Sequence, residues 1–189
     1  MNTIKVIGID PSLRNFGFAK ATLDLDTMQF EPYELQLVET EASKSKTTRK
    51  NCDDLDRCRT QYVALKEAEK GAQIAFVEMP VGSQSARAMM SYGACMALIA
   101  ALDIPVIQLT PAEVKIAAVR DKNATKREMI DWAAELFPNL NWLRMGKTGA
   151  GRLVDKNEHL ADAIGAINAG LVNSEFNAIV AMMRRVRAA

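Results

Sequence analysis

The chain has 189 residues, of which 49% are hydrophobic and 25% charged, and its formal net charge is +1. This length suits one domain with a single core, and the balanced charge excludes nucleic-acid binding driven by bulk positive charge. The longest apolar run, residues 93–102, is about half of the ~20 residues that a membrane-spanning helix needs. The N-terminus has the pattern of a strand, not of a signal peptide, and the three cysteines form no Cys-x-x-Cys pair. We therefore expect a cytoplasmic protein with reduced thiols and no membrane contact.

The first part of the chain predicts three consecutive strands. Apolar and β-branched residues dominate each run, and a polar turn around Asp26 and Thr27 separates the last two. The predicted strands cover residues 3–10, 16–23 and 33–39. Three successive strands indicate an antiparallel meander.

A loop over 43–51 leads into a predicted amphipathic helix at about 53–70. Its apolar stripe would consist of Leu55, Cys58, Tyr62 and Leu65, which recur at helical spacing. Short apolar runs and helical patterns then alternate. The predicted strands are 74–78 and 104–109. The predicted helices are 84–102, a helix beginning at 110–111, 126–137, 157–172 and 175–187.

Thr110 and Thr125 are expected to be helix N-caps, with Pro111 at the first helical position. Strands joined by helices imply parallel neighbours connected by right-handed crossovers. We therefore expect one α/β domain over 1–189: a mixed sheet, with a three-strand antiparallel meander plus parallel strands, flanked by α-helices. A helical extension is expected at about 174–189, and Met89, Met90 and Met96 are expected in the core.

Two acidic residues directly follow buried strands. Asp10 ends the first strand, and Glu78 ends the strand over 74–78. A carboxylate at such a place is costly unless it is paired or bound to a metal, and in open α/β sheets this edge is where sites form. If the two strands are neighbours, both carboxylates meet at one edge of the sheet.

Asp162 lies in a late apolar helical segment, and His159 precedes it by three residues, so both project from one helical face. Asp10, Glu78, His159 and Asp162 could then converge from three segments. Taken singly, each has a structural alternative: Asp10 as the cap of the next turn, Glu78 as the partner of a buried arginine, and His159 as a structural histidine.

The convergence of these four residues fits phosphodiester hydrolysis assisted by two metal ions. Two cations about 4 Å apart activate the attacking water and stabilise the leaving oxygen. Mg²⁺ and Mn²⁺ prefer oxygen ligands, which carboxylates supply. His159 would bind a metal such as Mn²⁺ or act as a base toward the water. The sequence therefore predicts a catalytic site for two Mg²⁺ or Mn²⁺ ions.

Positive charge is clustered although the net charge is small. The clusters comprise Lys44, Lys46, Arg49 and Lys50; Arg144, Lys147, Arg152 and Lys156; and Arg184, Arg185 and Arg187. A near-neutral protein can present a basic face to phosphates, and solvated loops are the alternative for any single cluster.

Five short segments resemble, in order, the motifs of the RuvC Holliday-junction resolvases. Residues 8–18 (GIDPSLRNFGF) resemble the first motif, including the spacing of Asp10, Arg14 and Gly17. Val77 and Glu78 resemble the second acidic strand end, and residues 110–115 (TPAEVK) resemble a T/A-P-x-x-V-K segment. Lys126 falls where the family has a second functional lysine, and residues 159–163 (HLADA) resemble the H/D-x-x-D-A motif. The resemblance covers roughly residues 4–172.

The resemblance implies an RNase H-like fold, a homodimer, and paired metal-dependent nicks across a four-way DNA junction. The candidate DNA-binding residues are Arg14, Lys44, Lys46, Arg49, Lys50, Lys115, Lys126 and Lys147. Ser12 stands where the family usually has glycine. The connection 43–57 is longer and more basic than is expected for bacterial members of the family. The loop 138–154 and the last helix look like additions to the family's fold. These features are more similar to phage-type relatives.

Three other functions remain open. The first is a general flap or single-strand nuclease on the same fold, and the second is a non-catalytic DNA-binding module. The third is an ATP-binding protein of the actin and sugar-kinase group, for whose two duplicated domains the chain is too short. The small-residue helix 84–102, with Ala86, Ala94 and Ala97, is expected to form a dimer contact or to pack on its own sheet.

Overall fold

The computed structural model describes residues 2–146 and 151–188 and contains a five-stranded mixed sheet. The strands are β1 (Thr3–Asp10), β2 (Asn15–Asp24), β3 (Gln29–Glu39), β4 (Ile74–Glu78) and β5 (Val106–Leu109). The helices are α1 (Lys50–Ala68), α2 (Ala86–Ile99), α3 (Pro111–Val119), α4 (Lys126–Leu136), α5 (Asn157–Gly170) and α6 (Ser174–Ala188). The strand order is β3-β2-β1-β4-β5, with β1 antiparallel to β2 and parallel to β4. The predicted mixed sheet with an antiparallel meander is confirmed.

The alternation of side chains along β1 divides the core into two layers. Ile4 and Val6 belong to the layer that also contains α4, α5 and α6, whereas Ile7 and Ile9 belong to the layer that contains α1 and α2. Both faces of the central strand are therefore covered, which explains its nearly continuous apolar sequence.

β3 begins at Gln29, four residues before the predicted start at Tyr33. Pro32, which has no N–H to donate, lies within β3, but β3 is an edge strand, where a missing N–H donor is tolerated. Pro32 pairs with Ala21, next to the register shift between Lys20 and Ala21. The irregularity thus accommodates the proline without ending the strand.

The predicted apolar stripe of α1 is wrong in two of its four members. The side chains of Leu55 and Tyr62 are 51% and 44% exposed. The buried positions include Asp54 and Gln61 instead. Polar partners from other segments offset their burial: Arg87 of α2 forms an ion pair with Asp54, and Gln61 Nε2 donates to the Ser12 carbonyl at 2.7 Å. This face of α1 therefore anchors the loop after β1.

The prediction that the methionines of α2 lie in the core is also wrong. Met89, Met90 and Met96 are 41–54% exposed, and the helix packs inward through Cys95, Leu98 and Ile99. The helix is shorter than predicted and begins after Ser85, whose hydroxyl accepts from the Ala88 amide. Apolarity alone did not distinguish its inner face from its outer face.

The starts of α3 and α4 follow the predicted capping chemistry. Thr110 and Thr125 both form capping boxes, with Glu113 and Glu128 as the reciprocal partners. At the end of the chain, α6 packs inward through Phe176, whose ring meets that of Phe76 edge-on at 5.0 Å. Within the described part of the chain, no helix combines the length and apolarity required to cross a bilayer.

Candidate active site

Asp10 and Glu78 lie side by side because their strands are parallel neighbours. Ile9 pairs with Val77 in the register between β1 and β4, so each strand delivers its terminal carboxylate to the same edge of the sheet. The two acids are only partly exposed. The sequence predicted that the two carboxylates would meet if their strands were neighbours. The strands are neighbours, and the carboxylates lie at the same edge of the sheet.

Helix α5 crosses this edge at short range because two glycines leave room for it. A Cβ added to Gly8 would lie 1.9 Å from the Ala163 carbonyl oxygen, and one added to Gly17 would lie 2.2 Å from the His159 carbonyl oxygen. Both approaches are too close for any side chain. The glycines thus set the distance from which His159 and Asp162 reach the strand ends.

The ring of His159 is held by contacts at both nitrogens. Its Nδ1 lies 2.6 Å from Asp10 Oδ2, and its Nε2 lies 3.1 Å from Asn15 Nδ2. Glu158 Oε1 is farther from Nε2, at 3.4 Å, and Glu158 itself forms an ion pair with Lys126 at 2.6 Å. Burial opposes protonation of the ring, but the hydrogen bond and the charge of Asp10 raise the pKa of His159 above its usual value.

All three carboxyl groups have a raised pKa. Burial is the largest cause in each case. Burial together with the charges of Asp162 and Asp10 raises the pKa of Glu78 to about 9. Burial and the charge of Asp10 raise the pKa of Asp162 to about 7. The pKa of Asp10 is also raised, against the opposing hydrogen bond from His159. The cluster is therefore electrostatically unfavourable when its acids are ionised without a cation.

One oxygen of this cluster has no partner among the described residues: Asp162 Oδ1 is buried and accepts no hydrogen bond. Buried polar atoms are nearly always satisfied, so the exception indicates a missing partner. Three carboxyl groups with raised pKa values supply the oxygen donors that Mg²⁺ and Mn²⁺ prefer, and the residues fit such a cation in donor chemistry.

The geometry of a complete metal site is not assembled. Within residues 2–146 and 151–188, no three His, Cys, Asp or Glu side chains are grouped so as to enclose a metal ion. Asp10 instead directs Oδ2 at the ring of His159. The predicted metal ligands are thus near one another at the sheet edge, and their role as ligands stays a prediction.

The predicted DNA-binding residues lie at different distances from this cluster. Lys115 is half-buried on α3, and its charge lowers the pKa of both Glu78 and Asp162, so it lies close to the acids. Lys126 begins α4, is 73% exposed and contacts Glu158. Arg14, on the loop after β1, is 71% exposed and lies 3.9 Å from Glu41.

The remaining basic residues are peripheral. Lys44, Lys46, Arg49 and Lys50 are exposed at the N-terminal side of α1. Hydroxyl groups of the same segment line a concave surface with Lys46, Lys50 and Arg87. Lys147 lies outside the described residues.

The sequence reasoning missed two residues of the site. Asn15 lies within the first motif, and Glu158 directly precedes His159, but neither follows a buried strand or repeats at a helical period. Their contacts with the ring depend on where α5 crosses the sheet. Proximity in sequence to Asp10 and His159 was the one available signal.

Comparison with known proteins identifies the fold. No protein-family model matches the sequence, and no curated protein does either. Among solved structures, RuvC of Thermus thermophilus in complex with a Holliday junction substrate has a TM-score of 0.63 and 17% identity, over 93% of this chain and 94% of that chain. A second structure of Thermus thermophilus RuvC gives a TM-score of 0.58 and 17% identity, over 94% and 97%. The Fowlpox virus resolvase bound to Holliday junction DNA gives a TM-score of 0.46 and 10% identity, over 89% and 97%.

The two RuvC structures are matched over nearly their full length, and the predicted RNase H-like fold is confirmed. At 17% identity the likeness concerns the fold alone.

Proposed function

We propose that this protein is a metal-dependent endonuclease that cleaves four-way and other branched DNA junctions. The observation that carries the proposal is the convergence of Asp10, Glu78 and Asp162 with His159 at one edge of an RNase H-like sheet. The four residues come from three elements, β1, β4 and α5, and burying three acids close together is destabilising. A purely structural role gives no reason for such a cluster.

The four residues are proposed as the ligands of two Mg²⁺ or Mn²⁺ ions. Such ions would activate water and stabilise the leaving oxygen of a phosphodiester. The protein's contribution is to hold the carboxylates at one edge, with α5 fixed by Gly8 and Gly17. Ionised Glu78 and Asp162 become favourable once positive charge lies between them, because the cost of burial and the repulsion that raise their pKa are then offset.

Phosphates would reach the site along basic residues. Lys115 is placed beside the acids, and Lys126 lies over Glu158, so both are proposed to contact the DNA backbone close to the cleaved bond. Arg14 and the basic segment at 44–50 extend the positive surface from the loop after β1. This segment and α6 are the features that favour a phage-type member of the resolvases.

The outer face of α2 is proposed as the contact between two copies of the chain. Met89, Met90 and Met96 are 41–54% exposed, and Gly93 has open space around it. Together with the exposed Ala97, these residues form an apolar stripe that allows close approach of a second helix. A four-way junction has two equivalent strands to cut, which a two-fold dimer matches with two sites.

The experiment is cleavage of a panel of labelled DNAs in Mg²⁺: a four-way junction, a flap, a single strand and a duplex. We expect cleavage of the junction by the wild type and its loss in Asp10→Asn, Glu78→Gln and Asp162→Asn, with junction binding retained. Glu31→Gln, which changes an exposed carboxylate of β3, is the control. Equal cleavage of flaps and single strands would favour the general nuclease instead. An inactive wild type, or an active Asp162→Asn variant, would contradict the proposed site.

A further inference from the structure

Asn15 contacts His159, although neither a strand end nor a helical period in the sequence indicated it. It is the first residue of β2, and its Nδ2 lies 3.1 Å from His159 Nε2. Its other amide atom, Oδ1, is buried and accepts no hydrogen bond from any described residue. The amide therefore uses Nδ2 in a contact, whereas its buried Oδ1 has no partner among the described residues.

The two contacts of the ring determine where its proton lies. Nδ2 of Asn15 is a donor, so Nε2 must accept and carries no proton in the neutral ring. The proton then lies on Nδ1, which donates to Asp10 Oδ2 at 2.6 Å. In this arrangement neither nitrogen has a free lone pair for a cation.

Binding of a cation at the ring requires the other tautomer. With the ring as oriented, Nδ1 is the nitrogen that faces Asp10, so Nδ1 has to lose its proton and Nε2 has to gain one for the ring to stay neutral. A metal-binding histidine normally donates its second N–H to an oxygen that fixes the ring. Rotation of the Asn15 amide by half a turn would present Oδ1 to Nε2–H, and the buried idle oxygen would then be satisfied.

We propose that Asn15 is a positioning residue: it holds the ring of His159 through Nε2 and, by turning its amide, allows the ring to change to the tautomer that leaves Nδ1 free for a divalent cation. The inference rests on the proposed metal-dependent function. Asn15 suits this task because an amide offers a donor at one end and an acceptor at the other, so it can partner either tautomer. Glu158, the next polar group near Nε2, is farther away and already paired with Lys126.

The first experiment reads the tautomer directly. The chain contains a single histidine, so ¹⁵N-histidine labelling of the untagged, metal-free protein gives the signals of His159 alone. At a pH above the titration of the ring, we expect an Nδ1–H tautomer in the wild type. The ionised side chain of Asn15→Asp presents only acceptors to the ring. In this variant, Nε2 of His159 should therefore carry a proton even without metal. An unchanged Nδ1–H tautomer in Asn15→Asp would overturn the inference.

The second experiment is calorimetric titration with Mn²⁺ in the absence of DNA. Loss of an outer-shell partner typically weakens metal affinity by about 10–100-fold, which is the effect expected for Asn15→Leu. Asn15→Asp should restore the affinity. Asn168→Leu is the matched control, because Asn168 is also half-buried but donates to the Ala117 carbonyl from the far part of α5.

The outcomes separate the inference from the proposed function. If the wild type and Asn15→Leu bind Mn²⁺ equally well, the role of Asn15 is overturned while the nuclease site stands. If Asn168→Leu weakens binding as much as Asn15→Leu, the effect is structural and the role of Asn15 is again overturned. A wild type that binds no Mn²⁺ would overturn the metal site itself.

Discussion

Glu78→Gln should stabilise the metal-free protein at neutral pH while it abolishes cleavage. Burial and the charges of Asp162 and Asp10 raise the pKa of Glu78 from 4.5 to about 9, with Lys115 opposing. When folding raises the pKa of a carboxyl group, the protein loses stability as the pH rises above the pKa of that group in the unfolded chain. The loss is complete near its pKa in the folded protein. The relevant window is therefore about pH 4.5 to 9.

The magnitude follows from the distance between pH 7 and the unfolded pKa. Each unit is worth about 1.4 kcal/mol, and roughly 2.5 units separate 4.5 from 7, so the penalty at pH 7 is about 3 kcal/mol. Glutamine keeps the shape of the side chain and has no charge to lose. For a protein of this size, 1 kcal/mol shifts Tm by about 2–4 °C, and we expect the variant to melt roughly 6–12 °C higher than the wild type.

The assay is thermal unfolding in EDTA between pH 5 and 8, with Glu31→Gln as the control for an exposed carboxylate. The gain of Glu78→Gln should be small at pH 5, grow toward pH 8, and narrow when Mg²⁺ is added, since a bound cation stabilises the wild type preferentially. A variant that is no more stable than the wild type at pH 8, or whose gain does not depend on pH, would refute the electrostatic account of the cluster.

Six other substitutions test the DNA interface, the dimer contact and the surroundings of His159. Lys115→Ala and Lys126→Ala should each lower the slope of log affinity against log salt by roughly 0.9, and unchanged slopes in binding titrations would remove them from the DNA interface. If the chain forms the proposed dimer, Met90→Glu should convert it to monomers in light scattering, because the substitution places a charge in the apolar stripe of α2. Gly17→Ala should lower the free energy of unfolding by about 1–3 kcal/mol in chemical denaturation, since its Cβ would meet the His159 carbonyl. His159→Ala should slow cleavage and His159→Asp should partly restore it; an Ala variant as fast as the wild type would leave His159 with a structural role.

Much of the fold was predictable because its signals are local. Thr110 and Thr125 cap helices through Glu113 and Glu128, which are three residues away in sequence. The buried strand β1 has an apolar sequence that no helix period explains. Asp10 and Glu78 were predictable for the same reason, as each acid directly follows such a run.

The errors arose where a distant segment decides the outcome. Asp54 is buried on α1 because Arg87 of α2 pairs with it, and Gln61 is buried because it reaches the Ser12 carbonyl. Leu55 and Tyr62 are then left exposed, although their spacing fits an apolar stripe. A helical pattern alone cannot indicate which polar residues will find partners from other elements.

The same dependence on distant partners explains why Asn15 was missed. Its amide acquires a role only because Gly17, two residues later, lets α5 approach and delivers the ring of His159. One short segment thus contacts α5 through three residues: Gly17 lets the helix approach, and Asp10 and Asn15 contact the ring of His159. Local rules of stability are satisfied through most of the chain and are broken here, where idle buried oxygens and repelling acids are concentrated. A cation bound between the carboxylates would supply a partner for Asp162 Oδ1 and would offset the repulsion between the acids. The metal-free protein should therefore be least stable at its proposed active site.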